Sequence, residues 1–237
     1  TITSHRLIRG ATLVVTDVER PLYEKAVGPS VAEIVEIPDA LHGIARVRNW
    51  IIDRFEDECV FMADDDLLAL HARTHEMSRV IQDPEIIEQI LDNTYLCARD
   101  AGARVWGFGT SGKPLDYRAN KPFQLHLWVN QAWGLIGREV RFDEHQRVKE
   151  DADLCLASLL RHRIIWQDNR YYWVAKRRTN RGGLTAERTM AKEQADMAYL
   201  KRKWGKYIGF VNRKGVVGIS FRVPRRQSGV PHAHAGV

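Results

Sequence analysis

A chain of 237 residues, 44% hydrophobic and 28% charged, is long enough to bury a sizeable core, and its balance is that of a globular rather than a disordered or fibrous protein. No apolar run is long enough to cross a bilayer and the first residues do not read as a secretory leader, so a cytoplasmic location without a membrane partner is expected. The net charge of +6 is uneven: residues 176–226 hold 15 of the 36 Lys and Arg but three of the 30 Asp and Glu, which leaves the rest of the chain at −6. Such a block points to a polyanionic partner, against the plainer reading of a solvated basic face.

In chain order, "ATLVVTD" reads as a buried strand and "PLYEKAV" as a short helix opened by Pro21. "VAEIVEIP" reads as a second strand. "GIARVRNWIIDRF" sets Ile44, Val47, Ile51 and Phe55 at helical spacing, and "CVFMA" reads as a third strand. This β-α-β-α-β order predicts a parallel, Rossmann-type α/β sheet, whose ligands sit beyond the carboxyl ends of the strands. Thr16-Asp17, Pro38 and Asp64-Asp65-Asp66 fall at those ends. "PEIIEQILDNTYLCARDAG" predicts a helix from Asp83-Pro84 to Gly102, and "ARVWGFG", the alternating "FQLHLWVN" and "WGLIGREVRFDE" predict strands. "KEDADLCLASLLRHR" predicts a helix from about Asp151, and "IIWQDNRYYWVAKRR" a strand or hairpin. "TAERTMAKEQADMAYLKRKWGK" predicts a long basic helix from Thr185, and "YIGFVNRKGVVGISFRV" a hairpin. The division that results is a domain over 1–183, a basic helix and hairpin over 184–223 packed on it, and a disordered tail over 224–237.

Three adjacent carboxylates at the end of an apolar strand repel one another and resist desolvation unless something positive compensates. A hard divalent cation, Mg²⁺ or Mn²⁺, does so, taking carboxylate oxygens, water and the phosphates of a substrate. The plainer reading makes one of these aspartates the N-cap of a helix over "LLALHAR". Glu150-Asp151, with Asp153 behind, offers a general base, or merely acids in a first helical turn. Arg46, Arg48 and Asn49 start a helix facing the same strand ends, where arginines suit a diphosphate. No G-x-G-x-x-G follows the first strand and no P-loop occurs. "HARTH" lacks the glutamate of a zinc-protease helix, and His232 and His234 lie in the polar tail. Cys59, Cys97 and Cys155 lie far apart in apolar segments, as buried free thiols do.

"MADDDL" and "VKEDADL" resemble the DxD and xED motifs of GT-A-type glycosyltransferases, and "GIARVRNWIIDRF…CVFMADDD" resembles the G-x-x-x-x-R-N helix that precedes the aspartate motif in family-2-like members. More narrowly, the chain from about Ala11 to Gly183 resembles the bacteriophage TET-associated glycosyltransferases. The resemblance implies transfer of a sugar from a nucleoside diphosphate sugar, UDP-linked by expectation, to a 5-hydroxymethylpyrimidine such as 5-hydroxymethylcytosine in double-stranded phage DNA, in the cytoplasm of the bacterial host. It implies that Asp64 and Asp66 hold Mn²⁺ or Mg²⁺, that Thr16, Asp17, Arg20, Arg46, Arg48, Asp64 and Asp65 contact the nucleotide sugar, and that Asp151 or Glu150 is the base. Trp133 and Gly134, within "WGL", would shape the acceptor side, and Lys201, Arg202, Lys203 and Lys206 would meet DNA phosphates. Trp133, Tyr171, Tyr172 and Trp173 would offer stacking to a flipped base, or belong to the core. The late metal-ligating histidine of many GT-A enzymes has no counterpart between His162 and His232. Two rival readings remain at this stage: the same fold acting on a small-molecule, protein or cell-wall acceptor, and a metal-dependent nuclease or nucleotidyltransferase. The oligomeric state is left open.

Overall fold

A computed structural model describes residues 3–28, 33–74, 76–110, 117–146, 148–176, 190–213 and 216–224. The two leading β-branched runs become β1 (Thr12–Val15) and β2 (Glu33–Glu36), paired in parallel with Leu13 beside Ile34, and helix α1 (Arg20–Val27) lies between them in sequence. They form a two-stranded sheet of their own. The third strand, β3 (Cys59–Ala63), does not extend it, contrary to the continuous parallel sheet expected. It pairs antiparallel along all five residues with β8 (Ala132–Ile136), a strand buried throughout.

The main sheet has seven strands in the order β3-β8-β6-β9-β4-β5, with β7 (Phe123–Gln124) also on β9. Here β4 is Leu67–Arg73, β5 Ser78–Ile81, β6 Val105–Gly109 and β9 Trp166–Ala175. The β6–β9 pair is parallel and the others antiparallel, so the fold is mixed α/β, consistent with the Rossmann-like glycosyltransferase class expected. Alternation along the strands divides the core. Val105, Trp133 and Leu135 face α2 (Ile44–Arg54) and α4 (Glu150–His162), where Ile52, Leu154 and Leu159 meet them. Trp106, Phe108, Ala132 and Ile136 face α3 (Pro84–Asp100), which supplies Ile87 and Ala98. That helix starts as its sequence requires: Asp83 caps it by accepting from the Glu85 N–H at 2.9 Å, with Pro84 in the first turn.

Two further readings of the sequence fail for identifiable reasons. Leu67–Arg73 is a strand and not a helix capped by an aspartate, because it lies between β9 and β5 with Leu67 and Leu70 fully buried. Of "FQLHLWVN", two residues pair with β9, and Leu125 and Leu127 face solvent, so the alternation marks no longer strand. Tyr172 and Trp173 belong to the core, as one of their two readings had it. The thiols of Cys59, Cys97 and Cys155 are free. A third cluster, Leu156 with Leu200 and Ile208, packs helix α5 (Met190–Trp204) and the hairpin β10 (Ile208–Arg213)–β11 (Val216–Phe221) on α4. The loop around 111–116, His75, the chain from 177 to 189 including the expected helix start at Thr185, and the tail with His232 and His234 lie outside the described residues. Among the described residues no helix is long and apolar enough to cross a membrane.

Candidate active site

The aspartate turn is fixed by the N-terminal segment. Thr3 and Ser4 donate their backbone N–H groups to the Asp65 carbonyl, the Ser4 hydroxyl donates to the Asp64 carbonyl, and Leu67 N–H donates to that same hydroxyl oxygen at 3.0 Å. On the other side, Asp64 N–H bonds the Gln131 carbonyl at 3.0 Å and continues the β3–β8 ladder into the acids. The carbonyls of Asp64 and Asp65 and the Asp64 N–H are thereby satisfied within the protein.

Asp65 and Asp64 have distinct environments. Asp65 accepts from the Tyr23 hydroxyl at 2.8 Å, which ties α1 to the turn. Burial, and then Asp65, push the Tyr23 phenol far above its ordinary range. Asp64 lies 3.3 Å from a terminal nitrogen of Arg48, whose other terminal nitrogen lies 2.7 Å from Glu150. One guanidinium thus joins the acids after β3 to the acid that opens α4. Its plane is backed by Trp133, 5.2 Å from the ring centre, and Phe142, at 5.6 Å. Arg48 and Glu150 are both nearly closed to solvent, with side chains 11% and 9% exposed, whereas Asp64 keeps 47% of its side chain exposed. Crowding by protein outweighs Arg48, and with Asp66, Glu150 and Asp65 nearby the Asp64 carboxyl is pushed up to about 6.

The residue after Arg48 has a separate task. The Asn49 amide accepts from Phe142 N–H at 2.9 Å and donates to the Phe142 carbonyl at 3.0 Å, so it pins the ring that backs Arg48. Arg46 forms an exposed pair with Glu144 at 3.3 Å, away from the aspartates' shared guanidinium. Arg20 spans Glu24 and Glu36, both exposed. Thr16 and Asp17 do meet a cavity: a cleft of about 260 Å³ opens at the carboxyl ends of β1 and β2, lined also by Ile37, Pro38, Asp39 and His42. Asp39 and His42 carried no motif of their own. The position of Pro38 at a strand end was the one available signal for this wall.

On the far side, Glu150, Asp151 and Asp153 occupy the first turn of α4, where the helix dipole favours acids. The Asp151 carboxylate accepts from the N–H of Ala152 at 2.7 Å. Burial, and then Glu150 beside it, hold its carboxyl well above the usual carboxylate range in spite of Arg48. Trp133 is buried and reaches the site as the floor beneath Arg48. Gly134 is spoken for by packing: a Cβ there would stand 2.1 Å from the Trp106 ring, so this glycine lets Trp106 lie across β8. Of the basic residues on α5, Lys203 is bonded to Asp143 at 2.6 Å and Asp153 at 2.8 Å, and Lys201 caps its own helix through the carbonyls of Gly205 and Ile208. Arg202 and Lys206 are exposed.

Among the described residues no group of three or more His, Cys, Asp or Glu comes together as a closed metal cage. The donor set of the aspartate turn suits a different kind of site, in which Mg²⁺ or Mn²⁺ takes one or two carboxylates and completes its shell with water and substrate phosphate. The raised Asp64 carboxyl fits this, being an acid short of positive charge that a cation would ionise. A stability test follows from the sign. A carboxyl raised from an ordinary 3.8 to about 6 favours the folded state below the lower value, and that contribution is lost as pH rises through about 6. The free protein is expected to lose thermal stability across that window, and Mn²⁺ with a nucleoside diphosphate to restore it chiefly above pH 6. Equal stabilisation at pH 4.5 and 7.5 would show that Asp64 is not the group being ionised.

Among known protein families, the model of the TET-Associated Glycosyltransferase family fits residues 3–183. No curated protein and no solved structure matches.

Proposed function

We propose, for a chain that belongs to the TET-associated glycosyltransferase family and is thereby a glycosyltransferase, that it moves a sugar from a nucleoside diphosphate sugar to the hydroxyl of a hydroxymethylated pyrimidine in phage DNA, with 5-hydroxymethylcytosine the expected base. The observation that supports this reading is the Arg48 bridge, which joins Asp64 of the aspartate turn to Glu150, the neighbour of Asp151 at the start of α4. In this reading the cleft holding Thr16, Asp17 and Asp39 receives the nucleoside, with UDP the expected carrier. Asp64 and Asp66 would hold Mn²⁺ or Mg²⁺, which supplies positive charge to the departing diphosphate. Asp151 takes the proton of the acceptor hydroxyl as that oxygen bonds the anomeric carbon and the bond to the diphosphate breaks. The raised pKa suits this role, because a base works best near the operating pH. Glu150, bound to Arg48, orients the turn in which Asp151 sits.

The deciding experiment is incubation of hydroxymethylated duplex DNA with a panel of nucleotide sugars, with and without Mn²⁺, followed by mass spectrometry of the nucleosides. A sugar-sized mass gain on the hydroxymethylated base is expected. Transfer to small hydroxylic acceptors with none to DNA would replace this reading with the other-acceptor one.

The DNA acceptor has a second test. With Lys201 and Lys203 bonded internally, the exposed Arg202, Lys206 and Arg222 are left to meet phosphates. Replacing all three with Gln should weaken duplex binding and lower the slope of log K against log salt by roughly 0.9 for each phosphate no longer neutralised. Nucleotide binding should stay unchanged. Superimposable wild-type and triple-variant salt series would remove the basic face from the argument.

A further inference from the structure

Helix α5 and the hairpin that follows lie beyond the segment that fits the family model, yet α5 grips the segment at the start of α4. Asp196 accepts from Val148 N–H at 2.8 Å, two residues before Glu150. Lys203 and the Trp204 indole N–H donate to the two oxygens of Asp153, at 2.8 and 2.6 Å, two residues after Asp151. Lys203 and the Tyr199 hydroxyl also hold Asp143, at 2.6 and 2.8 Å, just after the Phe142 ring that backs Arg48. Asp153 and Asp196 are 1% and 6% exposed, so the bonds to these two carboxylates are largely shielded from water, where geometry is held more firmly than at a surface.

We infer that this C-terminal unit is a positioning element for the acceptor-side acids: α5 clasps residues 148–153 at both ends and so sets where Asp151 points. The inference rests on the reading of Asp151 as the base. Packing alone would not require this arrangement. The apolar contact of Leu156 with Leu200 and Ile208 already secures α5 to α4 one turn further on, while three polar side chains of α5, Asp196, Lys203 and Trp204, converge on the stretch that carries Glu150 and Asp151. Lys203 is a positioning residue here and not a phosphate contact. The same contacts place the exposed Arg202 on the helix that holds the catalytic turn, so acceptor binding and base placement share one element.

The test compares Lys203→Met, Lys203→Arg and Trp204→Phe in the full chain. Trp204→Phe removes one donor to Asp153 while keeping a ring in the cluster, and it decides the matter should Lys203→Met not fold. Hydrogen exchange of the peptide over 148–155 should quicken in Lys203→Met and Trp204→Phe while that over 84–100 is unchanged. With UDP-glucose, or whichever donor the panel identifies, and hydroxymethylated duplex, kcat should fall about 10- to 100-fold with the donor KM unaltered, since small misplacements of a reacting group cost that much. Lys203→Arg should restore both. Unchanged exchange overturns the inference, and so does faster exchange with full kcat. Asp151→Asn is run alongside: if it keeps wild-type turnover, the base assignment itself has failed and the positioning role falls with it, whereas a dead Asp151→Asn beside a fully active Trp204→Phe removes the positioning role alone.

Discussion

Replacing Arg48 with Met should cost at least about 100-fold in transfer and roughly 3 kcal/mol in folding stability, the lower end of what removing one partner of a buried ion pair costs. Both losses come from the same geometry. Met can cover the faces of Trp133 and Phe142 that the Arg48 side chain covers, so packing changes little, but Glu150 then lies buried without its cation. Asp64 also loses the positive neighbour that lowers its carboxyl against crowding, so protons compete more strongly with a metal for its oxygens. The stability loss should be smaller at pH 3 than at pH 8, because a carboxylate stranded without its cation is neutralised in acid. Arg48→Lys keeps the charge but not the fork, and one ammonium does not span 3.3 Å to Asp64 and 2.7 Å to Glu150 in the same geometry. It should recover much of the stability and little of the activity. Denaturation curves at the two pH values, read beside turnover, check this. An Arg48→Met protein with wild-type stability at pH 8 would mean that the bridge is not formed in solution.

Much of this site was legible because its elements are local. An apolar run that stops at three aspartates can be read from "CVFMADDD" alone, and the strand and turn stand where that pattern puts them. The acids of "VKEDADL" open a helix for an equally local reason. What could not be read was how the pieces are held. Ser4 fixes the aspartate turn from 60 residues away, and a serine near the start of a chain carries no signal of it. The failed sheet expectation has a similar origin: β3 chose its partner from residues 132–136, and periodicity reports a strand but not its neighbour. Charge was the least transparent property. Lys201, Arg202, Lys203 and Lys206 look alike as a basic cluster, yet Lys203 neutralises two aspartates from other elements and Lys201 caps a helix end. Counting cations shows where a polyanion would be drawn, not which cations are already occupied. The Arg48-Asn49 pair shows the same limit in reverse. The motif marked both residues, but the structure divides them, with the arginine between two carboxylates and the asparagine on a main chain.

Asp151→Asn should reduce kcat by about 10²–10⁴-fold, the usual contribution of a general base, and leave the affinity for the nucleotide sugar nearly intact. The wild-type rate should fall on the acid side with a midpoint above the ordinary carboxylate range, because burial and Glu150 raise this carboxyl. That limb should be missing from the residual activity of the variant. Stability should move the other way. A carboxyl raised in the folded state favours folding while it is protonated, and that advantage is lost as pH rises through its folded pKa. At pH 8 the wild type therefore carries an ionised Asp151 beside Glu150 in a crowded turn, and the asparagine does not. The variant should melt at a higher temperature than the wild type at pH 8, and the difference should close at pH 4.5, where both side chains are neutral. An inactive protein that is more stable only at alkaline pH is what a strained base predicts. A group kept merely as a first-turn acid for the helix dipole would give the opposite result: Asn would lower the melting temperature at pH 8, and turnover would change little.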